Sequence, residues 1–186
     1  MARYNKIRKM DISNGEGIRV SCFMQGCSFN CKGCFNPETH DFSGGKEFNE
    51  DTINEILNLS KKDYIKGLSI LGGEPLHEKN IDGTILLAKS FKGAFPDKDI
   101  WVWTGFEIEN LNDKQKEILE FIDVLVDGQY VESLSNPSLN FRGSSNQRVI
   151  DVQLSLEKQE IVAISFKDEE KFEIYEDEED DEELEE

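Results

Sequence analysis

The sequence predicts an α/β domain in which a parallel sheet carries its helices on the outside. Strand-like and helix-like segments alternate along the chain, which is typical of such a sheet. The 186 residues suit one domain with a sizeable core. About five or six strands can be counted, too few for a closed eight-stranded barrel. An open doubly wound sheet and a partial barrel both fit this pattern.

The predicted strands are short segments of apolar or alternating character. In the first, GIRVSCFM, the apolar positions 18, 20, 22 and 24 alternate with positions 19, 21 and 23. The others are GLSILGG (67–73), DIWVWTG (99–105), DVLVDG (123–128) and NQRVIDV (146–152). Several of them end in glycine, which favours a turn at that point.

Three helices are predicted between these strands. The segment 49–62 has apolar residues at helical spacing, with Asn49 or Asp51 available as its N-terminal cap. The segment 81–93 reads as a helix closed by Gly93. The segment NDKQKEILEFI reads as a helix that starts near Asn112.

The charge of the chain is concentrated at its carboxyl end. The formal net charge is −18, and residues 168–186 contain 14 of the 39 acidic residues and one lysine. We therefore expect a folded domain over residues 1–167 and a disordered acidic tail over 168–186. The tail suits a role in solubility, or a role as an electrostatic handle for a basic partner surface. Neither role suggests binding to nucleic acid.

The sequence favours a cytoplasmic protein without membrane segments. No apolar run reaches the about 18 residues that a membrane helix needs, and the first residues lack the apolar middle of a signal peptide. The four cysteines do not form a secreted disulfide framework, because three of them are crowded into eight residues. A reducing compartment is implied.

The crowded cysteines are Cys27, Cys31 and Cys34, in the spacing C-x3-C-x2-C. Thiolates bind soft metals, and this spacing lets three sulfurs converge on one centre. Zinc is one possibility, with Cys22 or His40 as the fourth ligand. However, Cys22 shares the apolar face of its strand and is expected to be a core thiol, and His40 is expected to be a loop residue.

The unusual residues follow four successive predicted strands. The cysteine loop follows the first, GGEP the second, TGF the third and DGQY the fourth. In parallel sheets ligands bind at the carboxyl ends of the strands, so these segments predict a single site. Gly72 and Gly73 would let the backbone approach a ligand closely, and Glu74 could accept a hydrogen bond from an ammonium group. Thr104 and Asp127 are further candidates.

The spacing C-x3-C-x2-C resembles the motif of the radical S-adenosylmethionine superfamily. The resemblance implies that three cysteines bind three irons of a [4Fe–4S] cluster. The amino and carboxylate groups of S-adenosylmethionine would bind the fourth iron. It also implies a partial, open (βα)5-6 barrel of the radical-SAM type. One departure is Gly33, because the residue before the last cysteine is often aromatic in the superfamily.

A narrower resemblance covers residues from about Asp11 to Asp151. The segments GCSFNCKGCFN, LGGEPL, WVWTGF, VLVDGQY and FRGSSNQRVID together resemble the activating proteins of anaerobic ribonucleoside-triphosphate reductases. This implies that a 5′-deoxyadenosyl radical generates a glycyl radical on the reductase. A flavodoxin-like or other low-potential protein would donate the electron. His77 is expected to be a loop residue without a role in this chemistry.

The motifs and the resemblance together predict the site residues, with no catalytic side chain beyond the cluster and the co-substrate. The iron ligands are Cys27, Cys31 and Cys34, and the cofactor-binding residues are Gly33, Cys34, Phe35, Gly72, Gly73, Glu74, Thr104, Asp127 and Arg142. Arg142 and Arg148 could each bind the carboxylate of the co-substrate or the partner protein.

Two alternatives stay open from the sequence. The first is an activator of another glycyl-radical enzyme, or a small enzyme that acts on a free heterocycle. Many such activators carry an additional cysteine-rich insert, and here Cys22 is the only other cysteine. The second alternative is a zinc-binding interaction module with an acidic tail.

Overall fold

The computed structural model describes residues 2–166, which form a seven-stranded sheet with four α-helices. The strands are β1 (Arg3–Asp11), β2 (Ile18–Met24), β3 (Lys46–Glu47), β4 (Ile65–Gly72), β5 (Asp99–Trp103), β6 (Val124–Asp127) and β7 (Arg148–Asp151). The helices are α1 (Glu50–Ser60), α2 (Ile81–Ala94), α3 (Asp113–Lys116) and α4 (Val152–Lys158). The tail predicted over residues 168–186 lies outside the described residues.

The sheet is open and mixed, in the order β3-β1-β2-β4-β5-β6-β7. Its four central strands, β2, β4, β5 and β6, are parallel to one another. The outer pairs, β1–β2, β1–β3 and β6–β7, are antiparallel. The predicted α/β class is confirmed. The prediction of a parallel sheet is wrong for the outer strands, because these pairs are antiparallel. The loop 12–17 between β1 and β2 is too short for the crossover that a parallel pair requires.

Two predicted helix starts are confirmed by their caps. The side chain of Asn49 accepts a hydrogen bond of 3.1 Å from the backbone N–H of Thr52 at the start of α1. At the start of α3, Asn112 and Gln115 form a reciprocal capping box. After Lys116 the chain tightens into a 3-10 turn instead of continuing the α-helix.

Helix α2 ends one residue later than the sequence suggested. It runs through Gly93 to Ala94, and the carbonyl of Phe91 in its last turn accepts a hydrogen bond of 2.8 Å from the N–H of Phe95. Phe95 precedes Pro96, and a residue before proline is disfavoured in the helical conformation. The proline, rather than Gly93, therefore accounts for the end of this helix.

Strand β2 is buried on both of its faces. Val20, Cys22 and Met24 lie in the main core, which also contains side chains of helices α1 and α2, and Cys22 has no exposed surface. On the other face Arg19 is fully buried, where its guanidinium pairs with Asp99 at 2.6 Å. The sheet thus has a helix-covered face and an opposite face, and the opposite face borders the cavity described below.

Among residues 2–166, none of the helices has the length and apolar character needed to cross a membrane.

Candidate cofactor site

The carboxyl ends of the four parallel strands meet at one open cavity of about 800 Å³. The loop after β2 contributes all three clustered cysteines, and the loop after β4 contributes Gly73 and Glu74. The loop after β5 contributes Thr104, and the loop after β6 contributes Tyr130. The structure therefore brings together the segments that the sequence placed at the ends of successive strands.

The cysteine loop is held by a second segment that runs beside its start. The N–H of Gly26 donates to the carbonyl of Thr39 at 2.7 Å, and the N–H of Cys27 donates to the carbonyl of His40 at 3.1 Å. A 3-10 turn over Pro37–Thr39 returns the chain to this position. The loop is thus shaped by backbone hydrogen bonds within the protein itself.

Cys27, Cys31 and Cys34 are free thiols that line the cavity and are half-buried. Burial raises the pKa of the Cys27 and Cys34 thiols, so an electropositive group is needed to hold them as thiolates at neutral pH. An iron–sulfur cluster is such a group and is bound by cysteine thiolates. The three-thiol set therefore fits a cluster.

A single zinc ion fits the site less well. Cys22, one proposed fourth ligand, lies in the core beneath the helices, where burial raises its pKa to about 12. Within residues 2–166, no three His, Cys, Asp or Glu side chains are grouped as ligands of one metal ion. A cluster binds each cysteine through a different iron, so its ligands stay further apart than those of a single zinc.

Glu74 is a fully buried carboxylate at the end of β4, with 1% of its surface exposed. Its Oε1 atom accepts hydrogen bonds of 2.8 Å from the N–H of Leu76 and from the hydroxyl of Thr104. Its Oε2 atom accepts one of 2.8 Å from the N–H of Gly105. Burial nevertheless raises the pKa of Glu74 to about 7, because no cation among the described residues offsets the loss of water.

Gly72 and Gly73 allow two loops to approach each other. A Cβ atom on Gly73 would lie 2.5 Å from the carbonyl oxygen of Gly26, and one on Gly72 would lie 2.8 Å from the Cα of Phe23. Gly72 also has a φ of +106°, which favours glycine. Both glycines line the cavity. The end of β4 can pack closely against the end of β2 because neither glycine has a side chain.

Asp127 does not reach the cavity. Its side chain pairs with Arg148, whose Nε atom lies 3.0 Å from Oδ1, and its Oδ2 atom accepts from the N–H of Ile108 at 2.9 Å. Arg148 also donates two hydrogen bonds to the carboxylate of Glu109. The carboxylates of Glu109 and Asp127 raise the pKa of Arg148 above its ordinary value. Arg148, at the start of β7, thereby links β7 to the end of β6.

Gly33 is also outside the cavity lining. A Cβ atom there would lie 2.8 Å from the carboxylate of Glu132. Phe35 and Arg142 do line the cavity. The ring of Phe35 is 71% exposed and lies 5.2 Å from the ring of Tyr130. Of the predicted cofactor-binding residues, Asp127 and Gly33 are therefore the two that the structure places elsewhere.

The segment RGSSNQR holds the loop that follows β6. The Nε2 atom of Gln147 donates to the carbonyl of Gly128 at 2.9 Å, while its Oε1 atom accepts from the N–H of Gly143 at 2.9 Å. The buried hydroxyl of Ser144 accepts from the N–H of Val131 at 3.1 Å. Most of this segment therefore shapes one wall of the cavity.

Some cavity residues were missed by the sequence reasoning. Arg8 and Phe23 line the cavity from β1 and β2, with the guanidinium 4.8 Å from the ring centre. Phe29, inside the cysteine loop, packs edge-to-face against Phe106 at 5.0 Å. Only Phe29 carried a sequence signal, because it lies between two of the cysteines.

A family model described as a 4Fe-4S single cluster domain matches residues 13–150. Three similar proteins carry the name anaerobic ribonucleoside-triphosphate reductase-activating protein. The one from Haemophilus influenzae is 42% identical over 139 residues, which cover 74% of this chain and 90% of that protein. The one from Escherichia coli K12 is 40% identical over 148 residues, which cover 78% of this chain and 96% of that protein. The one from Enterobacteria phage T4 is 40% identical over 146 residues, which cover 78% of this chain and 92% of that protein.

Proposed function

The chain belongs to the family of anaerobic ribonucleoside-triphosphate reductase-activating proteins, and from this membership we propose that it generates a glycyl radical on its reductase at the cavity described above. The observation that carries the proposal is the set of three free thiols at the meeting point of four strand ends. The proposal includes a [4Fe–4S] cluster, S-adenosylmethionine as co-substrate and a radical-SAM type of partial barrel.

In this proposal Cys27, Cys31 and Cys34 hold the cluster and leave one iron for the co-substrate. When bound, the reduced cluster would supply the electron that cleaves S-adenosylmethionine into methionine and the radical that removes hydrogen from the reductase glycine. The contribution of the chain is to hold the thiolates, to orient the co-substrate and to limit the access of water.

Glu74 is suited to receive the ammonium group of S-adenosylmethionine. It is a buried carboxylate without a cationic partner among the described residues, and its raised pKa reflects that lack. An ammonium group placed there would offset the cost of burial, as a charge-assisted hydrogen bond. Thr104 and Gly105 orient the carboxylate through the hydrogen bonds that they donate.

The surroundings of the cavity suit a protein substrate. Phe35 and Leu134, on the cysteine loop and the loop after β6, are 71% and 43% exposed. In the loop after β1, Ile12 precedes the cavity-lining Ser13 and is 76% exposed. Apolar side chains in these loops would contact a segment of the reductase that carries its glycine into the cavity. A flavodoxin-like or other low-potential protein is proposed as the electron donor.

The proposal is tested by reconstituting the protein with iron and sulfide without oxygen and adding S-adenosylmethionine, a chemical reductant and the reductase. We expect 5′-deoxyadenosine in the products and a glycyl-radical signal in the electron paramagnetic resonance spectrum of the reductase. The Cys31→Ala variant is the control and should yield neither. A parent protein that assembles the cluster but does not cleave the co-substrate would refute the proposal. If the radical formed only on another glycyl-radical enzyme, that enzyme would be the substrate instead of the reductase.

A further inference from the structure

After helix α4 the chain turns back, and residues 161–166 run along strand β7. The N–H of Asp151 donates to the carbonyl of Val162 at 2.9 Å. The N–H of Ile164 donates to the carbonyl of Val149 at 2.7 Å. These residues, here called the carboxyl-terminal segment, are therefore attached to the edge of the sheet.

Two side chains of the carboxyl-terminal segment, Ile164 and Phe166, pack against a small apolar cluster that is separate from the main core. The buried members of this cluster are Trp101, Val124, Val126 and Val149. Trp103 and Phe141 are partly buried, pack against the same cluster and line the cavity. The cluster therefore connects the carboxyl-terminal segment to the wall of the cavity.

Phe141 is the side chain through which Phe166 reaches that wall. The two rings pack edge-to-face with their centroids 5.4 Å apart. The ring of Phe141 also packs edge-to-face on Trp101 at 5.1 Å, and its carbonyl accepts a hydrogen bond of 2.8 Å from Nε1 of Trp103. The φ of Phe141 is +60°, which is disfavoured for a residue other than glycine. Its contacts must offset that cost, and Phe166 provides one of them.

Phe141 belongs to a hairpin that forms one wall of the cavity. The hairpin is closed by a hydrogen bond of 2.8 Å from the N–H of Ser145 to the carbonyl of Leu134. Besides Phe141, the residues of this hairpin that line the cavity include Asn136, Pro137, Leu139 and Arg142. A shift of Phe141 would therefore move the hairpin and change the shape of the cavity.

We propose that Phe166 is a positioning residue for S-adenosylmethionine, because it holds Phe141 and the hairpin where the co-substrate requires them. This inference rests on the proposed function, since it needs the co-substrate in the cavity. Phe166 is not among the residues that line the cavity, so it acts through Phe141. The carboxyl-terminal segment lies beyond residues 13–150, the part of the chain that the family model matches.

The first test compares variants of the full chain after reconstitution of the cluster. Phe166→Ala removes the ring, and we expect the dissociation constant of S-adenosylmethionine to rise by about two- to tenfold, as for the loss of one aromatic contact. The iron content should equal that of the parent. Phe166→Tyr keeps the ring and should restore the affinity. The matched control is Ile161→Ala on the same segment, where the side chain is 39% exposed, and it should bind as the parent does.

Tryptophan fluorescence tests the same contacts without any cofactor. The chain has two tryptophans, and both Trp101 and Trp103 contact Phe141. In Phe166→Ala their emission should shift to longer wavelength, because water reaches the indole rings more easily. Ile161→Ala should leave the emission unchanged. An emission of Phe166→Ala equal to that of the parent would overturn the role given to Phe166.

A third measurement uses the parent chain and does not depend on how the variants fold. Coupling between two binding events is reciprocal, so the co-substrate must in turn stabilise the carboxyl-terminal segment on the sheet. We expect S-adenosylmethionine to slow the amide hydrogen exchange of Ile164, whose N–H donates to Val149. The reference is the amide of Lys98, which donates to Phe95 in the turn after α2, and its exchange should not change. Equal exchange of Ile164 with and without the co-substrate would overturn the inference.

These outcomes separate the inference from the proposed function. If the parent assembles the cluster but does not bind S-adenosylmethionine, the proposed function fails and the inference fails with it. If the parent binds and cleaves S-adenosylmethionine but Phe166→Ala binds it equally well, only the inference fails. An equal loss of affinity in Ile161→Ala would also overturn the inference, since the ring of Phe166 would then have no particular role.

Discussion

The hydroxyl of Thr104 donates a hydrogen bond of 2.8 Å to the carboxylate of Glu74, which lies thirty residues earlier in the chain. The next residue, Gly105, donates its N–H to the other oxygen of the same carboxylate at 2.8 Å. One buried side chain therefore joins the end of β4 to the end of β5. The same group that we propose as the co-substrate contact also fixes the relative position of two cavity walls.

Replacing Glu74 with Gln should weaken the binding of S-adenosylmethionine while the cluster still forms. The change keeps the size of the side chain and removes the charge that would pair with the ammonium group. A charge-assisted hydrogen bond is worth about 1.5–3 kcal/mol, so the dissociation constant should rise by roughly one to two powers of ten. Equilibrium binding to the reconstituted protein measures this.

The control for that change is Thr104→Val, which removes one donor to Glu74 but keeps its carboxyl group. Its loss of affinity should be smaller than that of Glu74→Gln. Equal affinities of Glu74→Gln and the parent would show that Glu74 serves only to join the two strand ends.

Replacing Gly73 with Ala should destabilise the protein without its cofactors. The added Cβ atom would lie 2.5 Å from the carbonyl oxygen of Gly26, and backbone cannot move aside as a flexible side chain can. We expect a loss of about 1–3 kcal/mol in the free energy of unfolding, measured by denaturant titration.

The matched control is Gly93→Ala in helix α2, where nothing lies within 4 Å of the added atom. That variant should be more stable than the parent by about 0.5–1 kcal/mol, because alanine is the better helix former. Equal stabilities of the Gly73 and Gly93 variants would contradict the packing described for the two loops.

Replacing Cys22 with Ala should leave the cluster intact. Cys22 lies in the core beneath the helices, with its sulfur 4.0 Å from that of Met24. Loss of one buried atom should cost about 1 kcal/mol of stability and no iron. Iron and sulfide analysis after reconstitution should match the parent for this variant, whereas Cys27→Ala should lose the cluster. Loss of iron from a folded Cys22→Ala variant would contradict the assignment.

Replacing Glu109 with Gln should lower stability in a pH-dependent way. The hydrogen bonds from Arg148 lower the pKa of Glu109 from 4.5 to about 2. A lowered pKa means that the folded state favours the charged carboxylate, so this stabilisation is present above about pH 4.5 and is lost as the pH falls toward 2. Since Glu109 is about half exposed, the effect should stay below about 1 kcal/mol.

The measurement for Glu109 is the difference in unfolding free energy between parent and variant at pH 7 and at pH 3. The difference should shrink at the lower pH. The control is Glu107→Gln, since Glu107 accepts from Asn110 rather than from Arg148. A difference that grows on acidification would rule out the proposed ion pair as its source.

The central strands and the order of the loops could be predicted from the sequence. Segments such as GLSILGG and DVLVDG are short, apolar and ended by glycine, which leaves few conformations other than a buried strand with a turn after it. The edge strand β1 could not be found in the same way. Its sequence RYNKIRKMD has no clear alternation, and it is held by pairing with β2.

By itself the sequence determined which segments meet at the carboxyl edge of the sheet, because parallel strands in succession place their ends together. Only the tertiary structure decided which side chains enter the cavity there. Strand β6 is apolar on both faces, so its residue pattern could not show on which face Asp127 lies. In the structure Asp127 lies on the same face as Leu125, which belongs to the core beneath the helices. Register and strand alternation turn Asp127 toward Arg148, while a backbone turn brings His40 next to Cys27. These placements depend on contacts between residues far apart in the chain, and local residue patterns do not encode them.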